Sequence, residues 1–432
     1  MSESTRWDAV VVGAGPAGTV VAAELVERGH RVLLVDAGPR LPPGERAPEV
    51  DRRAWAYRAV GGAFDWYRVR AVGGRALLWG GWSHRFGDAV FERNGWPYRA
   101  STLAPWYARA EQRLALAPGT LDARHRRVAQ ALGITIVPKR TATWTPLSER
   151  VLRGARTYSV ALRLVGSGVE ILDLLHERAE VVRARAIVLA ASPVETTRIL
   201  LRSGYTNVGR NLVDHMVASY LLLEPTPPTR HVSALATGLV NTRAGNRRRY
   251  DGGFSIEISG PSPPSVFGVE RMVPPGEEER WSATQIHALG EMTPHRRRYV
   301  DLDPEGIDAL GRPIPRIHVA WSAAEKRMAE DMRRASVGIA DALATTGSKL
   351  VPFVDPLQPG AGHEAGTCAM GADESAPCNA WGRLRGAENV WIADASALPT
   401  SGDRHPTLTL LAHALRTAHD VLRAFRRTSS KR

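Results

Sequence analysis

Apolar and polar positions at the start of the chain follow a strand period, then a helix period, then a strand period again. Residues 7–12 are a short apolar run that ends in a glycine-rich turn, which predicts a buried strand. A helix is expected over residues 16–29, with Pro16 in its first turn, where a missing N–H costs nothing. A second strand is expected over residues 31–35 and ends at Asp36. The pattern therefore predicts a β-α-β unit.

Similar runs, bounded by turn residues, continue along the chain. Ser101 or Thr102 is expected to cap a helix that continues to Leu116. Strands are expected over residues 158–164, 169–174 and 186–191, and helices over residues 194–203 and 322–345.

Residues 217–350 have a different character, with more Pro and Gly and with alternating polar and apolar stretches at residues 252–259 and 282–289. Such alternation predicts antiparallel strands with one face in water. The block from residue 351 onward returns to the strand-turn-helix style. At 432 residues, the chain is long enough for two domains or one elaborated domain. An α/β fold with a separate antiparallel sheet is expected.

Composition narrows the class of protein. The chain is 44% hydrophobic and 23% charged, as is usual for a water-soluble enzyme. No apolar run reaches the roughly 18 residues of a membrane helix, so no membrane partner is expected. The apolar run after Asp8 follows no positively charged segment, so a signal peptide is not expected. With only Cys368 and Cys378, a disulfide framework is excluded and a cytoplasmic location is expected.

The net charge of +13 raises the question of nucleic-acid binding. The basic residues are almost all Arg and are scattered, with short clusters at residues 247–249 and 296–298. No zinc spacing and no aromatic strand motif accompanies them. A nucleic-acid partner is therefore not expected, and a basic nucleic-acid-associated protein stays only a remote alternative.

The first turn has the spacing of a dinucleotide site. Gly13 permits the tight turn, Gly15 lets the backbone approach a pyrophosphate, and Gly18 lets helix and strand pack closely. Asp36, about twenty residues on, is expected to accept hydrogen bonds from ribose hydroxyls and disfavours NADP. A second glycine cluster, residues 73–81, suits an extended cofactor, and no second nucleotide fingerprint exists. One flavin therefore fits better than NAD.

Two histidines near the C-terminus suggest proton transfer. HEAGTCAMG begins at His363, and His405 stands in a turn ahead of the last helical pattern. Histidine has an unperturbed pKa near neutrality, so a pair on rigid turns is a natural proton acceptor and donor. Together with a dinucleotide site, this pair suggests the removal of hydride from an alcohol.

Several segments together resemble the glucose–methanol–choline (GMC) oxidoreductase family. They include VVVGAGPAG from Val10, VGGRALLWGG from Val72, NVGRNLVDH from Asn207 and the two C-terminal histidine motifs. The resemblance covers most of the chain in the family's order. HEAGTCAMG is most similar to the HE-x-GT-x-x-MG form of bacterial sugar and polyol dehydrogenases in the family.

The resemblance implies an α/β fold whose Rossmann-like FAD-binding domain is of the FAD-linked reductase type. That domain would comprise residues 1–90, 150–216 and 351–432. Residues 91–149 would form a helical connection, and residues 217–350 an antiparallel-sheet substrate domain.

The resemblance also implies roles for individual residues. The ADP half of FAD would be held by Gly13, Gly15, Pro16, Ala17, Gly18 and Asp36. Gly74, Gly80 and Gly81 would lie along the pyrophosphate and flavin, and Val160 would present its backbone to adenine. Asp394 and Ala395 would lie beside the cofactor, and His405, Pro406 and Thr407 beside the pyrimidine side of the flavin.

Three positions depart from the family's common pattern. Residue 405 is His where Asn is frequent. Leu78 stands where some members attach FAD covalently through His, which implies non-covalent FAD. Ser192 stands where Gly is usual.

In the mechanism that these residues suggest, His363 is the base and His405 orients and stabilises the developing alkoxide. His215, His413 and His419 are interpreted as structural, Glu364 as a hydrogen-bonding neighbour, and both cysteines as structural. No metal site is expected, because the histidines lack ligand spacing.

The expected substrate is a small sugar, glycoside or polyol-like alcohol, with oxygen or an unknown carrier as the electron acceptor. Trp281, Trp321 and the Arg296 cluster are candidate substrate contacts. An FAD-containing lyase that cleaves a cyanohydrin on the same fold remains the alternative.

Overall fold

The computed structural model describes residues 7–42, 56–66, 68–142, 149–229, 238–243, 249–357 and 362–429. Strands in these ranges are β1 (Trp7–Val12), β2 (Val32–Val35), β3 (Arg58–Val60), β4 (Ala117–Pro118), β5 (Ile136–Pro138), β6 (Arg140–Thr141), β7 (Ser159–Val165), β8 (Gly168–Asp173), β9 (Arg178–Leu189), β10 (His215–Glu224), β11 (Gly238–Arg243), β12 (Phe254–Ser262), β13 (Ser282–Glu291), β14 (Tyr299–Ile307), β15 (Pro313–His318), β16 (Lys349–Val354) and β17 (Val390–Ile392). The α-helices are α1 (Pro16–Val26), α2 (Asp88–Phe91), α3 (Ala100–Arg113), α4 (Ala123–Leu132), α5 (Glu149–Arg153), α6 (Pro193–Arg202), α7 (Ala323–Leu343) and α8 (Thr407–Ser429).

The first layer is a parallel sheet in which β1 lies between β2 and β9, and β17 pairs with the other edge of β9. The second half of β9 joins these parallel strands, while its first half pairs antiparallel with β8. Helix α1 packs against α8. The β-α-β unit is confirmed, and its apolar runs are buried because the sheet is covered by helices.

The second layer is an antiparallel sheet of order β16-β10-β13-β12-β11-β5. Helix α7 packs on β10 and β13, where Gly290 lies against Met332. The predicted antiparallel sheet is therefore confirmed, and with it the α/β fold class. The expected wet face is wrong, since every residue of β12 is buried. The alternating apolar and polar residues of β12 thus face two different buried surroundings, and the polar residues share theirs with other polar groups.

Several helix ends differ from the predictions. Helix α1 ends at Val26 rather than residue 29, because a turn follows in which Gly29 has φ of 80°. Helix α3 begins at Ala100, its N-cap is Arg99, and no side chain caps it, so the prediction of a Ser101 or Thr102 cap is wrong. Helix α7 has a complete capping box between Ser322 and Glu325.

A third, smaller sheet joins β14 and β15 to β3. It connects the start of the chain, residues 58–60, with residues 313–318 of the middle region. Among the described helices, none has an apolar stretch long enough to cross a bilayer.

Candidate active site

A cavity of about 690 Å³ lies at the carboxyl ends of β1 and β2, facing β10, β13 and the C-terminal turns. Fourteen of the residues that the sequence assigns to catalysis or cofactor binding line it: Gly13, Gly15, Pro16, Ala17, Asp36, Gly74, Gly80, Val160, His363, Asp394, Ala395, His405, Pro406 and Thr407. Gly18 and Gly81 lie outside this lining. Ligands of open α/β sheets bind at this edge, so the cavity is the candidate site.

The glycines of the first turn have different physical constraints. A Cβ on Gly13 would lie 2.3 Å from the Ala190 carbonyl oxygen, and one on Gly18 would lie 1.9 Å from that of Gly13. A Cβ on Gly15 would meet nothing within 4 Å. Gly13 and Gly18 are thus required by packing, whereas Gly15 leaves open space toward the cavity. That space suits the close approach of a ligand.

Asp36, at the end of β2, belongs to the same turn. Its carboxylate accepts hydrogen bonds from the Ala14 and Gly38 amides, each at 2.8 Å. Burial raises the pKa of this carboxyl. Two backbone amides therefore fix the position of the Asp36 carboxylate in the cavity wall, beside the fingerprint turn of residues 13–18.

The second glycine cluster approaches the first turn. Gly73 donates its N–H to the Ala14 carbonyl at 2.9 Å, and a Cβ on Gly74 would lie 3.2 Å from the Gly15 Cα. Gly81 has another contact, because its carbonyl accepts the Ala142 N–H at 3.0 Å. Gly81 thus anchors the segment from outside the cavity.

Asp394 connects two elements of the wall. Its carboxylate accepts hydrogen bonds from the Ser192 amide at 3.1 Å, from the Thr196 hydroxyl at 2.5 Å and from the Ser396 amide at 2.9 Å. Burial raises its pKa. The residue holds the start of α6 against the turn that follows β17.

The two predicted catalytic histidines meet in the cavity. His363 Nε2 lies 3.1 Å from His405 Nδ1. His405 Nε2 lies 2.9 Å from Glu257 Oε1, and the Trp82 ring stacks on the His405 ring with an interplanar angle of 8°. The His405 ring is therefore held on three sides.

His215, which the sequence reasoning set aside as structural, also contacts this pair. Its Nδ1 lies 2.9 Å from His363 Nδ1, and its Nε2 lies 3.0 Å from the Gly402 carbonyl oxygen. Asp214 accepts the backbone N–H of both His215 and His363, at 2.7 and 3.0 Å. The signal that could have found His215 is its motif, NVGRNLVDH, one of those on which the resemblance rested.

The other histidines and Glu364 have the environments expected of structural groups. His413 Nε2 lies 3.0 Å from the Ile392 carbonyl oxygen, and the His419 ring lies against Trp106. Glu364 is buried and hydrogen-bonds Arg75, which also reaches the Gly362 carbonyl.

The electrostatic environment keeps His363 and His215 neutral. Burial, together with His405 and His215, lowers the pKa of His363 well below its ordinary value. Burial and His405 lower the pKa of His215 to about 3. Burial and nearby Glu364 raise the pKa of Asp214 to about 8. A neutral imidazole in such a place is ready to accept a proton.

The opposite wall is a row across the antiparallel sheet. Glu257 of β12 pairs with His287 of β13, which pairs with Ser219 of β10. Although burial opposes it, His405, His287 and Lys139 hold the pKa of Glu257 below its ordinary value. Burial lowers the pKa of His287, which lines the cavity. Sequence reasoning missed both groups, because they occupy polar positions of alternating strands, which were expected to face water.

The proposed substrate contacts from the sequence do not line the cavity. Trp281 is buried in an apolar cluster with Leu221 and Leu223. Arg298, from the Arg296 cluster, is buried and forms an ion pair with Glu325 at 2.7 Å. Trp321 packs against the main core. That part of the substrate prediction is wrong, since Trp281, Trp321 and Arg298 pack in the fold, and the exposed Arg296 and Arg297 are absent from the cavity lining.

Metal and thiol chemistry find little support in the described part of the chain. Potential ligand atoms of Asp214, His215 and His363 lie within 4.8 Å of one another. However, the two Nδ1 atoms are 2.9 Å apart, whereas nitrogens sharing one tetrahedral zinc ion stand roughly 3.3 Å apart.

Burial raises the pKa of Cys368 to about 12, and Cys378 is also buried. Neither thiol is poised as a nucleophile.

Comparison with known proteins gives two family matches. Residues 294–414 match the model for the GMC oxidoreductase C-terminal region, and residues 11–62 match that for an NAD(P)-binding Rossmann-like domain. The first match contains both central histidines, and the second contains the fingerprint turn.

Curated relatives align along almost the whole chain. Paromamine 6'-oxidase of Streptomyces fradiae is 26% identical over 96% of this chain and 91% of its own length. The 2-methyl-1,2-propanediol dehydrogenase of Mycolicibacterium austroafricanum is 24% identical over 98% of this chain and 96% of its own length. The crystal structure of pyridoxine 4-oxidase from Mesorbium loti has a TM-score of 0.68 and 21% identity, and it covers 96% of this chain and 99% of that chain. The last likeness supports the fold.

Proposed function

This chain belongs to the GMC oxidoreductase family of flavin-dependent enzymes that oxidise alcohols, and from that premise we propose its substrate and the roles of its residues. The substrate is a small molecule with several hydroxyl groups, such as a sugar, glycoside or polyol. His363 is the base that takes the hydroxyl proton. The meeting of His363 and His405 within the cavity that also contains the fingerprint turn carries this proposal.

The cavity fits FAD bound without a covalent link. Its fingerprint turn leaves open space at Gly15, and the carboxylate of Asp36 is fixed where a ribose would lie. The segment with Gly74 and Gly80 continues along the cavity toward the histidines. Leu78 lines the cavity at the position where covalent attachment would need a histidine.

The other residues that the sequence assigns to the cofactor site have two proposed roles, which are contact with the cofactor and support of the cavity walls. Pro16, Ala17, Val160, Ala395, Pro406 and Thr407 line the cavity and would contact the cofactor. Gly13, Gly18, Gly81 and Asp394 would act by holding the walls in place.

The proposed proton transfer follows from the hydrogen bonds of the three histidines. When bound, the flavin supplies the electron chemistry by accepting hydride at its N5 atom. His363 Nε2, on a neutral and half-buried ring that lines the cavity, takes the proton of the substrate hydroxyl. His405 Nδ1 then donates to the developing alkoxide.

Glu257 explains how His405 stabilises negative charge. Its carboxylate lies 2.9 Å from His405 Nε2, while the other ring nitrogen points at His363. This carboxylate helps to hold the His405 ring in place, so that Nδ1 stays directed at the reacting hydroxyl. A donor that is fixed in this way stabilises the developing alkoxide without reorganisation.

The polar row on the sheet supports a substrate with more than one hydroxyl. His287 lines the cavity, and its buried Nδ1 has no hydrogen-bond partner among the described residues. A second hydroxyl beside the reacting carbon would satisfy that nitrogen. The relative 2-methyl-1,2-propanediol dehydrogenase is named for a compound with two neighbouring hydroxyls.

We propose a discontinuous domain organisation with the boundaries expected from sequence. Residues 1–90, 150–216 and 351–432 would bind FAD, and residues 217–350 would bind substrate. The pairing of β5 with β11 supports a connecting segment, 91–149, that also completes the substrate sheet.

Anaerobic bleaching of the flavin tests the substrate proposal. Pairs of compounds that differ by one neighbouring hydroxyl would be compared, alongside aliphatic and benzylic alcohols. Faster bleaching by the hydroxyl-rich member is expected, and His287→Leu should remove that preference while simple alcohols are unaffected. Bleaching only by aryl or long-chain alcohols would overturn the sugar proposal. Repeating the reaction with oxygen or an artificial carrier distinguishes the two classes of electron acceptor.

Three further outcomes concern the cofactor, the reaction class and the remote nucleic-acid alternative. Acid precipitation should leave all flavin in the supernatant, and colour on the pellet would contradict the interpretation of Leu78. Cleavage of a cyanohydrin without bleaching would instead favour the lyase. A preparation that stays colourless with FAD, yet binds DNA, would favour the remote nucleic-acid alternative.

A further inference from the structure

We propose that His215 is a positioning residue that fixes the tautomer of His363, so that Nε2 of His363 carries the lone pair for proton abstraction. This inference rests on the proposed role of His363 as the base. It assigns His215 a function in the reaction, although His215 is separated from the substrate by the His363 ring.

The direction of the hydrogen bonds is set by a backbone carbonyl. A carbonyl oxygen only accepts, so the His215 Nε2 that lies 3.0 Å from the Gly402 oxygen carries a hydrogen. In a neutral ring, His215 Nδ1 is then a bare acceptor. It lies 2.9 Å from His363 Nδ1, which must therefore donate. The neutral His363 ring keeps its lone pair on Nε2, which faces His405 Nδ1 at 3.1 Å.

The neutral state of His215 is essential to this order. If His215 were protonated, both its nitrogens would donate, and His363 Nδ1 would have to accept. The hydrogen of His363 would then sit on Nε2, and the base would be lost. Burial and His405 keep the pKa of His215 far below neutrality, against weaker opposing effects of the Gly402 hydrogen bond, Asp403 and Glu257.

The groups that face His363 leave Nδ1 to His215. His405 lies on the Nε2 side, and Asp214 accepts the backbone N–H of His363 rather than a ring hydrogen. Arg75 and His287 act on the ring through charge. Among these neighbours, His215 supplies the hydrogen bond that selects the tautomer.

The anchor for this chain of bonds is rigid. His215 is fully buried at the first position of β10. Gly402 has φ of 76°, and a Cβ there would lie 2.5 Å from the Phe86 ring. The Gly402 carbonyl is therefore held in one orientation by a contact that requires glycine. A tautomer fixed by such a rigid backbone needs no reorganisation when substrate binds.

Two variants separate the two ends of the His215 ring. In His215→Asn, the amide oxygen occupies the place of Nδ1, so the acceptor toward His363 is kept and the bond to Gly402 is lost. In His215→Gln, the amide nitrogen occupies the place of Nε2, so the Gly402 bond is kept and the acceptor is lost. His413→Gln is a matched control, because His413 Nε2 makes the same kind of carbonyl bond away from the cavity.

Two readouts are expected to agree. In the FAD-loaded enzyme, the anaerobic flavin-reduction rate at saturating substrate should fall about 10- to 100-fold in His215→Gln, a part of the ~10²–10⁴ contributed by a positioned base. It should fall only a few-fold in His215→Asn and remain unchanged in His413→Gln. Nitrogen NMR of labelled histidine, with the His363 signal identified from His363→Ala, should show an Nδ1–H ring in wild type and His215→Asn, and an Nε2–H ring in His215→Gln.

The two readouts distinguish the failure of this inference from the failure of the proposed function. An Nδ1–H ring in His215→Gln, or equal rates in the Asn and Gln variants, would overturn the tautomer role. A normal reduction rate in His363→Ala would overturn the base role instead. Thermal unfolding of each variant shows whether a loss of rate merely follows a loss of fold.

Discussion

The two walls of the cavity are built from different parts of the peptide. The fingerprint wall is mainly backbone, in which Gly15 leaves room for a ligand and Asp36 is fixed by two amides. The second wall, called here the histidine wall, consists of the side chains of His215, His363 and His405, which come from separate segments of the chain. The first wall is a local property of one turn, whereas the second exists only after the whole chain has folded.

This difference separates cofactor binding from proton transfer. Backbone amides and a helix N-terminus offer fixed partial charges and do not titrate. The histidine wall contains titratable groups whose protonation depends on burial and on one another. Changes in the first wall should therefore affect folding and flavin affinity, and changes in the second should affect rate and pH dependence.

The largest expected effect tests the histidine wall. His363→Ala should lower the anaerobic flavin-reduction rate by about 10²–10⁴, because the hydroxyl proton then has no positioned acceptor. The dissociation constant of FAD should stay within a few-fold of wild type. Stopped-flow absorbance measures the rate, and flavin fluorescence measures the affinity.

His405→Ala is the matched variant for that experiment. It removes the donor to the alkoxide but keeps the base, so its rate should fall less than that of His363→Ala. If His405→Ala lost the rate and His363→Ala kept it, the two roles would have to be exchanged. An equal loss of FAD affinity in both would weaken the separation of the two walls.

Two glycines of the fingerprint wall give the next largest contrast. Gly18→Ala places a Cβ 1.9 Å from a backbone oxygen, so the free energy of unfolding should fall by about 3 kcal/mol. Gly15→Ala meets open space, so the apoprotein should lose less than about 1 kcal/mol. Its FAD affinity should nevertheless fall at least about 10-fold, because the methyl group occupies the space left for the ligand.

Urea unfolding of the apoproteins and FAD titration check these values separately. A stable Gly18→Ala protein would mean that α1 can move away from β1 at little cost. Normal FAD affinity in Gly15→Ala would mean that the ligand does not approach this part of the turn.

The contrast between the walls also explains which features the sequence predicts. The β-α-β unit and its glycines are readable because a strand period, a turn and a helix period are consecutive in residues 7–35. His363 and His405 stand out because they lie in turns with a family pattern. The Asn207 motif marks His215 as part of the family pattern, but the contact of its ring with His363 depends on how β10 meets the turn before Ala365.

The antiparallel sheet shows the limit of period-based prediction. Its strands are recognisable from alternation, but the pattern cannot distinguish water from a polar cavity. Glu257 and His287 therefore look like solvent-facing positions, although Glu257 is buried and His287 is half-buried beside His405. Residue type is no better a guide, since Trp281, a candidate substrate contact because Trp faces stack on sugars, is an ordinary core residue.

A pH profile tests whether burial sets the base's protonation state. His363 must be neutral to act, and burial with its neighbouring histidines lowers its pKa below the ordinary 6.5. The reduction rate should therefore be flat at neutral and alkaline pH and should fall up to about 10-fold per pH unit only below that pKa. Stopped-flow reduction from about pH 5 to pH 9 provides the measurement. A rate still rising between about pH 7 and pH 8 would show that His363 is not the group titrating, or that its burial is incomplete in the working enzyme.

The smallest expected effect is a change in stability at Ser192, a residue of the cavity lining. Ser192 precedes α6 with φ of 80° and ψ of 152°, a conformation that favours glycine, and its side chain makes no capping bond. Ser192→Gly should raise the free energy of unfolding by about 1 kcal/mol, since relief of strain exceeds the added entropy of the unfolded chain. Ser192→Ala keeps a Cβ and should give no gain in the same urea titration. Because Ser192 also lines the cavity, unchanged flavin-reduction kinetics in Ser192→Gly would confine the strain to stability. An equal rise in the free energy of unfolding of Ser192→Ala and Ser192→Gly would show that the Ser192 hydroxyl, and not the backbone conformation, is destabilising.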